Sequence, residues 1–197
     1  MTLETLTLEL LPPTWRVHAA FFKGVVNSEF LQEQLLGRNA EFEYAFIDAS
    51  AIVSRQQVLS ALFNVAVVAE TGGLQTPNVH SEVVCSLSPG KNIAEAYRRW
   101  GITPGTTKDI IILKILTLEP KSECPTADDV WTHLRKHVDG RPVPLTDDEI
   151  DGSTDWAKVR KYYKLNGAPA LEGIQDDAGR KKEAETLIIT SMALRGL

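Results

Sequence analysis

The feature that most constrains this fold is a short apolar run near the middle of the chain. Residues from Ile110 to Leu116 are all apolar except Lys114. A strand that is apolar on both faces has to be covered on both sides. The run is also far shorter than the roughly 20 residues that a membrane-spanning helix needs. We therefore predict a central strand inside a globular domain, and no membrane contact.

Further strands are predicted nearer the amino terminus. Apolar and polar residues alternate over residues 5–10, and the two prolines that follow end this strand because proline cannot donate a ladder hydrogen bond. A second strand is predicted over 15–22. The aromatic-rich stretch 42–47 favours a third.

Apolar residues at helical spacing, preceded by capping residues, predict most of the remaining elements. A Thr126–Asp129 capping box opens one helix. The helix over 54–70 carries two apolar stripes, one of them through Phe63, so we expect it to be buried on most sides. Segment 78–87 fits either a helix or a strand. The other predicted helices cover 27–37, 92–101 and 155–165, with a C-terminal amphipathic helix through Ala184, Leu187, Ile188, Ser191 and Met192, and loops are predicted at 147–153 and 166–179.

The length of 197 residues suits one domain. We predict an α/β (α+β) domain over 1–197, with a mixed central β-sheet packed with helices. The formal net charge of −5 argues against a wholly basic nucleic-acid-coating protein. Cys85 and Cys124 lie too far apart for a zinc ribbon or a disulfide scaffold, and their small number suits a reducing compartment. The start of the chain carries no basic and apolar targeting pattern, so we expect a soluble intracellular protein.

Motifs of the common enzyme classes are missing from the sequence. It contains neither a Gly-rich phosphate loop nor a G-x-S-x-G nucleophile elbow. His133 and His137 are four residues apart, but they enclose Arg135 and Lys136, whose charges oppose a cation. We predict a solvated helix face for these histidines, no metal, no cofactor and no catalytic site.

A hydrolase that uses His80 and Glu82 is a weaker hypothesis. Residues so close in the chain rarely converge on one reacting atom, and we favour a capping or bracing role for Asn78 and His80. Cys85 follows two valines, and an apolar setting raises a thiol's pKa and makes it inert.

Basic residues form two local clusters in an otherwise acidic chain. One contains Lys91, Arg98 and Arg99, and the other covers 158–164 beside Tyr162 and Tyr163. Basic side chains among aromatic rings can bind single-stranded RNA, so a stand-alone RNA-binding module is the alternative function. Solvated helix faces are the other interpretation of the same charges.

Several segments resemble one known family, the PRPK-binding proteins, which form a subunit of the KEOPS (EKC) complex. They follow the family's order and cover most of the chain. The central ones are 78–82 (NVHSE), 87–89 (LSP), 92–96 (NIAEA) and 101–102 (GI), and the supporting ones are 44–48 (YAFID) with 54–55 (SR), 156–165 (WAKVRKYYKL) and 187–192 (LIITSM).

The resemblance implies an adaptor and not an enzyme. Members of this family bind the small atypical kinase/ATPase of the complex directly and the remaining subunits indirectly. The complex makes threonylcarbamoyladenosine in tRNAs that read ANN codons and is linked to telomere maintenance, so tRNA is a possible partner. The resemblance implies a location in the nucleus and the cytoplasm, and no recognition of DNA sequence. It also marks 118–139 as an insertion.

The site residues implied by the resemblance fall into three sets. The structural motif comprises Asn78, His80, Ser81, Glu82, Ser88, Pro89 and Gly101. Predicted contacts with the kinase, through an apolar patch that includes part of the C-terminal stripe, are Asn92, Ile93, Tyr97, Ile188, Met192 and Leu194. Predicted contacts with RNA are Arg55, Lys91, Arg98 and Arg99.

Overall fold

A five-stranded antiparallel sheet forms the centre of the molecule. The computed structural model describes residues 3–7, 11–117 and 124–195. The strands are β1 (Leu3–Leu6), β2 (Trp15–Lys23), β3 (Ala45–Asp48), β4 (Ile110–Thr117) and β5 (Arg141–Val143). The sheet has the order β1-β2-β4-β3, and β5 pairs with β2 beyond the end of β1.

Strand β4 is the predicted central strand, and both of its faces are covered. It pairs with β2 along its whole length and with β3 over residues 110–113. Ile111, Leu113 and Ile115 point into a major core on one face of the sheet. Ile110 and Ile112 belong to a second core on the opposite face. The alternation follows from the two-residue period of a strand.

Helices cover both faces of the sheet. The helices are α1 (Ser28–Leu36), α2 (Arg55–Glu70), α3 (Val79–Ser86), α4 (Ile93–Trp100), α5 (Ala127–His137), α6 (Asp147–Asp151), α7 (Trp156–Tyr162) and α8 (Asp177–Ala193), with 3-10 turns at Ala40–Phe42, Ala49–Ala51 and Pro169–Leu171. The major core is completed by α2, α3, α4, α6, α7 and α8, and the second core by α1 and α5.

Side-chain caps explain where the main helices begin. Ser54, Asn78 and Asn92 each accept a hydrogen bond from a backbone N–H in the first turn of the helix that follows. Thr126 and Asp129 form the reciprocal capping box that the sequence predicts. These bonds satisfy donors that have no partner within the helix.

The predicted α+β class is confirmed, with one difference in the sheet. Every described strand pair is antiparallel, so the expectation of a mixed sheet is wrong. The stretch 78–87, left open from sequence, is helix α3, and the C-terminal amphipathic helix is α8. No helix in the described ranges is both long and apolar enough to cross a membrane.

Three local predictions need correction or restriction. Residues 147–151 form α6 and not a loop, because Thr146 caps the segment and its acidic first turn suits a helix N-terminus. The strand predicted over 42–47 covers only 45–48, because Asn39 accepts from the Glu41 N–H and turns the preceding backbone. Part of the predicted first strand, residues 8–10, lies outside the described residues.

The segment 118–139 stays a predicted insertion, and its described part is a component of the second core. Helix α5 places Val130 and Leu134 against the sheet, and both are almost completely buried. His133 and His137 also point toward this core, with ring centroids 4.9 and 5.1 Å from that of Phe42. The prediction of a solvated face for the two histidines is therefore wrong, because aromatic side chains from the 40–44 segment cover them.

Candidate functional site

The NVHSE motif forms the N-cap and the first turn of helix α3, which lies between two concave surfaces. On one side is a cleft of about 800 Å³, which we call the cleft, lined by the end of α1, residues 38–44, the start of α3 and residues 97–103. On the other side is a groove of about 310 Å³, which we call the groove, lined by α2, α3 and the end of α8. Asn78 starts the helix by accepting from the Ser81 N–H at 2.9 Å.

His80 is bonded to the edge of the sheet. Its Nε2 accepts a hydrogen bond of 2.9 Å from the backbone N–H of Ile115, which lies beyond the end of β3 and therefore has no partner in that strand. The side chain is 4% exposed, and burial together with the nearby Lys114 charge lowers the pKa of His80 to about 3. The ring is thus neutral near pH 7, with its proton on Nδ1.

Glu82 is bonded to different partners from those of His80. Its Oε2 accepts from the N–H groups of Gln75 and Thr76 at 3.0 and 2.9 Å and from Thr76 Oγ1 at 2.7 Å. Glu82 lines the groove, whereas His80 lines the cleft. The two side chains therefore do not form the acid–base pair that a hydrolase would need.

The rest of the motif shapes the turn between α3 and α4 and the end of α4. Ser88 is buried, and its Oγ accepts from the Gly90 N–H at 3.1 Å, with the half-buried Pro89 between them. Gly101 follows α4 and bridges to β3, where a Cβ atom would stand 2.6 Å from the Tyr97 carbonyl oxygen. Only glycine fits so close to another backbone.

The predicted kinase contacts divide between the core and the surface. Ile188 and Met192 are 0% and 1% exposed in the major core. The expectation that the C-terminal stripe forms an exposed apolar patch is therefore wrong for these two, because α8 packs this stripe against α2 in the major core. Leu194 is 54% and Ile93 38% exposed. The remaining two have other positions: Asn92 caps α4, and the half-buried Tyr97 lines the cleft.

Two apolar residues of α2 are exposed, although the sequence did not indicate a surface site there. Phe63 is 38% and Val67 49% exposed, and both line the groove beside Met192 and Ala193. They are four residues apart, so they share one face of the helix. The expectation that Phe63 belongs to a buried stripe is wrong, because α8 and α3 cover only part of α2.

The predicted RNA contacts are not brought together. Arg98 is 75% exposed and lines the cleft, whereas Lys91 lines the groove. The Arg55 guanidinium makes two bonds of 2.6 Å to Glu4, which raise the pKa of Arg55. Arg99 binds Glu95 at 2.5 Å and lies over the Tyr162 ring.

The cleft combines cations with aromatic rings. Arg38 and Arg98 are exposed at its border, and Tyr97, Phe42 and Tyr44 contribute rings to its lining. This chemistry suits an anionic ligand with flat bases. Arg38 was not singled out from sequence, because it is isolated from other basic residues in the chain.

Other reactive groups lie outside these two surfaces. Burial raises the pKa of the Cys85 thiol to about 11, as its apolar neighbours predict, which keeps it protonated and unreactive near neutral pH. Within the described residues, no group of three or more His, Cys, Asp or Glu side chains could hold a metal ion.

Comparisons with known proteins agree with the motif pattern. Residues 22–196 match the family described as Kinase binding protein CGI-121. The EKC/KEOPS complex subunit cgi121 of Neurospora crassa is 52% identical, with 100% of both chains covered. The corresponding Gibberella zeae subunit is 53% identical, also with 100% of both chains covered. The Schizosaccharomyces pombe subunit is 31% identical, with 96% of this chain and 98% of its own covered.

These matches extend over nearly the whole chain and confirm the family that the motifs indicate. The segments that suggested it, including the NVHSE motif on α3, lie within the matched range. The chain therefore belongs to the family described as Kinase binding protein CGI-121.

Proposed function

We propose that this protein is a non-catalytic subunit of the EKC/KEOPS complex that binds and supports the small atypical kinase/ATPase of that complex. The names of its full-length relatives and the description of its family support this proposal. Contact with the kinase is direct, and contact with the remaining subunits is indirect. The separate bonding of His80 and Glu82 supports a non-catalytic role, since neither is placed to act on the other.

The observation that best supports a docking role is the exposed apolar surface along the groove. Phe63, Val67 and Leu194 are all more than a third exposed. The first two line the groove, and Leu194 lies between Ala193 and Arg195, which also line it. Clustered apolar side chains at the surface are typical of protein interfaces. We assign the kinase-docking surface to these residues.

Charge substitutions in the groove test this assignment. We expect Phe63→Glu and Val67→Glu each to raise the Kd for the cognate kinase about 30-fold, or about 2 kcal/mol, because each places a charge in an apolar interface. The matched control is Val26→Glu, since Val26 is 77% exposed and does not line the groove. Isothermal titration calorimetry measures Kd, and thermal melting checks that each variant is folded.

Equal kinase binding by Phe63→Glu and Val26→Glu would contradict the assignment. A loss of kinase binding by Val26→Glu alone would indicate that the docking surface lies beside α1 and not along the groove.

As a second candidate function, we propose that the cleft helps to hold the single-stranded 3′ end of tRNA during threonylcarbamoyladenosine modification. The exposed Arg38 and Arg98 and the Tyr97 ring support it, because RNA-binding proteins pair phosphate contacts with base stacking. We expect Arg38→Glu with Arg98→Glu to lower tRNA affinity about tenfold at low salt. The control is Lys182→Glu, an exposed cation on α8 that does not line the cleft. Unchanged gel mobility shifts in the double variant would reject this role.

We also propose that the protein works in the nucleus and the cytoplasm and contributes to telomere maintenance through the same complex. Fluorescence microscopy of a tagged full chain tests the location. Telomere length in cells that lack the gene, restored by the wild-type chain and not by Phe63→Glu, tests the dependence on kinase docking.

A further inference from the structure

Arg195 lies near the end of the chain and is a largely buried cation beside the groove. Its side chain is only 12% exposed. Its Nε donates to the Gly90 carbonyl oxygen at 3.2 Å, and its Nη1 lies 3.5 Å from Ser86 Oγ and 3.9 Å from Glu82 Oε1. We call Glu82, Ser86, Gly90 and Arg195 the Arg195 network.

The network joins the end of α8 to α3. Helix α8 ends at Ala193, and among the described residues the turn that follows has backbone bonds only back into α8, from Leu194 N–H to Thr190 and from Arg195 N–H to Met192. The Arg195 side chain thus supplies the bonds that join this turn to another element. Glu82 and Ser86 come from α3, and Gly90 comes from the turn after it.

Glu82 does not depend on Arg195 for its own hydrogen bonds. Its Oε2 already accepts three bonds from Gln75 and Thr76, and only Oε1 faces Arg195. Removal of the guanidinium therefore leaves the Glu82 carboxylate bonded to Gln75 and Thr76, but without a cation beside it. The turn 193–195 loses the side-chain bonds that Arg195 makes to Ser86 and Gly90.

This turn belongs to the surface that we assign to docking. Ala193 and Arg195 line the groove together with Phe63 and Val67, and Leu194 is 54% exposed between them. A surface ordered before binding loses less conformational entropy when its partner arrives. The position of Leu194 therefore affects docking even where Arg195 itself makes no contact with the partner.

We propose that Arg195 is a positioning residue for kinase docking. Its network holds the turn 193–195 against α3, so that Ala193 and Leu194 meet the kinase in a preformed arrangement. This inference rests on the proposed docking function and names the residue that organises the surface.

The test compares Arg195→Gln with Arg195→Lys and with Lys181→Gln in the full chain. Lys181 pairs with Asp151 near the start of the same helix, at 36% side-chain exposure, and serves as the matched control. Two quantities are measured: the Kd for the cognate kinase, and amide hydrogen exchange of residues 190–195 in the isolated protein. We expect Arg195→Gln to raise Kd about tenfold and to speed exchange at 193–195, because the turn is no longer preformed.

Arg195→Lys should have an intermediate effect, since it keeps the charge but not the guanidinium geometry. Lys181→Gln should change neither quantity. The double variant Glu82→Gln with Arg195→Gln should bind no more weakly than Arg195→Gln alone, because both changes remove the same contact.

Each contrary result overturns a different statement. Weaker binding without faster exchange would mean that Arg195 contacts the kinase itself, which contradicts a positioning role. Faster exchange with unchanged Kd would show that the order of the turn does not matter for docking. If the wild-type protein failed to bind the kinase while Arg195→Gln still speeded exchange, the proposed function would fail, and the docking role of Arg195 with it.

Discussion

The groove and the cleft share helix α3 but differ in chemistry. In the groove, Phe63 and Val67 expose apolar side chains, and Arg195 and Glu82 form a buried ion pair at one end. The cleft has exposed cations and aromatic rings, including Arg98 and Tyr97. An apolar surface suits a folded protein partner, whereas cations with rings suit a nucleic acid. One helix therefore separates two surfaces that suit different partners.

The largest change in stability should come from a substitution on the buried side of α8, the helix that ends at the groove. We expect Met192→Glu to destabilise the fold by more than about 4 kcal/mol, because it places an unpaired charge in the major core, where Met192 is 1% exposed. Urea unfolding measures the change. Leu194→Glu, two residues further on, should change stability by less than about 0.5 kcal/mol. Near-wild-type stability of Met192→Glu would show that this side of α8 is not buried.

Acid should destabilise the protein through His80, on the cleft side of α3. The pKa of His80 is about 3 in the folded protein, below the value of about 6.5 for an unfolded chain. Protonation therefore favours unfolding, so stability should fall as the pH drops below about 6.5 and level off near 3. The loss should be roughly 1 kcal/mol per pH unit.

The measurement is urea unfolding of wild type and His80→Gln at several pH values. The difference between the two profiles isolates His80 from other titrating groups, and His80→Gln should lose less stability on acidification. Parallel profiles would show that His80 is not held neutral by its surroundings.

A smaller effect should follow from loss of the bond to the sheet edge. We expect His80→Ala to lower the free energy of unfolding by about 2 kcal/mol near neutral pH, because it leaves the buried Ile115 N–H without its acceptor. His80→Gln, whose side-chain oxygen could replace Nε2, should cost less. Kinase binding should stay within about twofold of wild type for both, since His80 lines the cleft and not the groove. A large loss of kinase binding would break the distinction between the two surfaces.

The smallest effect should follow from removal of the charge of one exposed arginine, Arg98. We expect Arg98→Gln to leave folding and kinase binding unchanged and to reduce the salt dependence of tRNA binding by about one phosphate contact. Arg99→Gln offers the contrast, since Arg99 is held by Glu95 and Tyr162. Equal salt slopes for wild type and Arg98→Gln would remove Arg98 from the RNA surface.

Sequence reasoning succeeded where the physical cause is local. The run 110–116 had to be a doubly covered strand because its apolar residues occupy both strand faces, and β4 is that strand. The Thr126–Asp129 capping box could be predicted because its two residues are only three positions apart in the sequence. The same holds for Asn92, which caps α4 through its own side chain.

It failed where the answer depends on which element covers which side chain. Met192 and Phe63 are both apolar at helical spacing and lie beside the same groove, yet Met192 is 1% exposed and Phe63 is 38% exposed. Lys91 and Arg98 belong to the same basic cluster in the sequence. In the structure, Lys91 lines the groove and Arg98 lines the cleft, on different sides of α3. Spacing along one helix cannot report these differences, because tertiary packing decides them.

The central claim is that the groove, and not the cleft, docks the kinase. Hydrogen exchange of the full chain with and without its cognate kinase tests it most directly. We expect slower exchange at residues 63–67 and 190–195 in the complex, and no change at 38–44 and 97–103. Protection confined to 38–44 and 97–103, with residues 63–67 unaffected, would contradict the account.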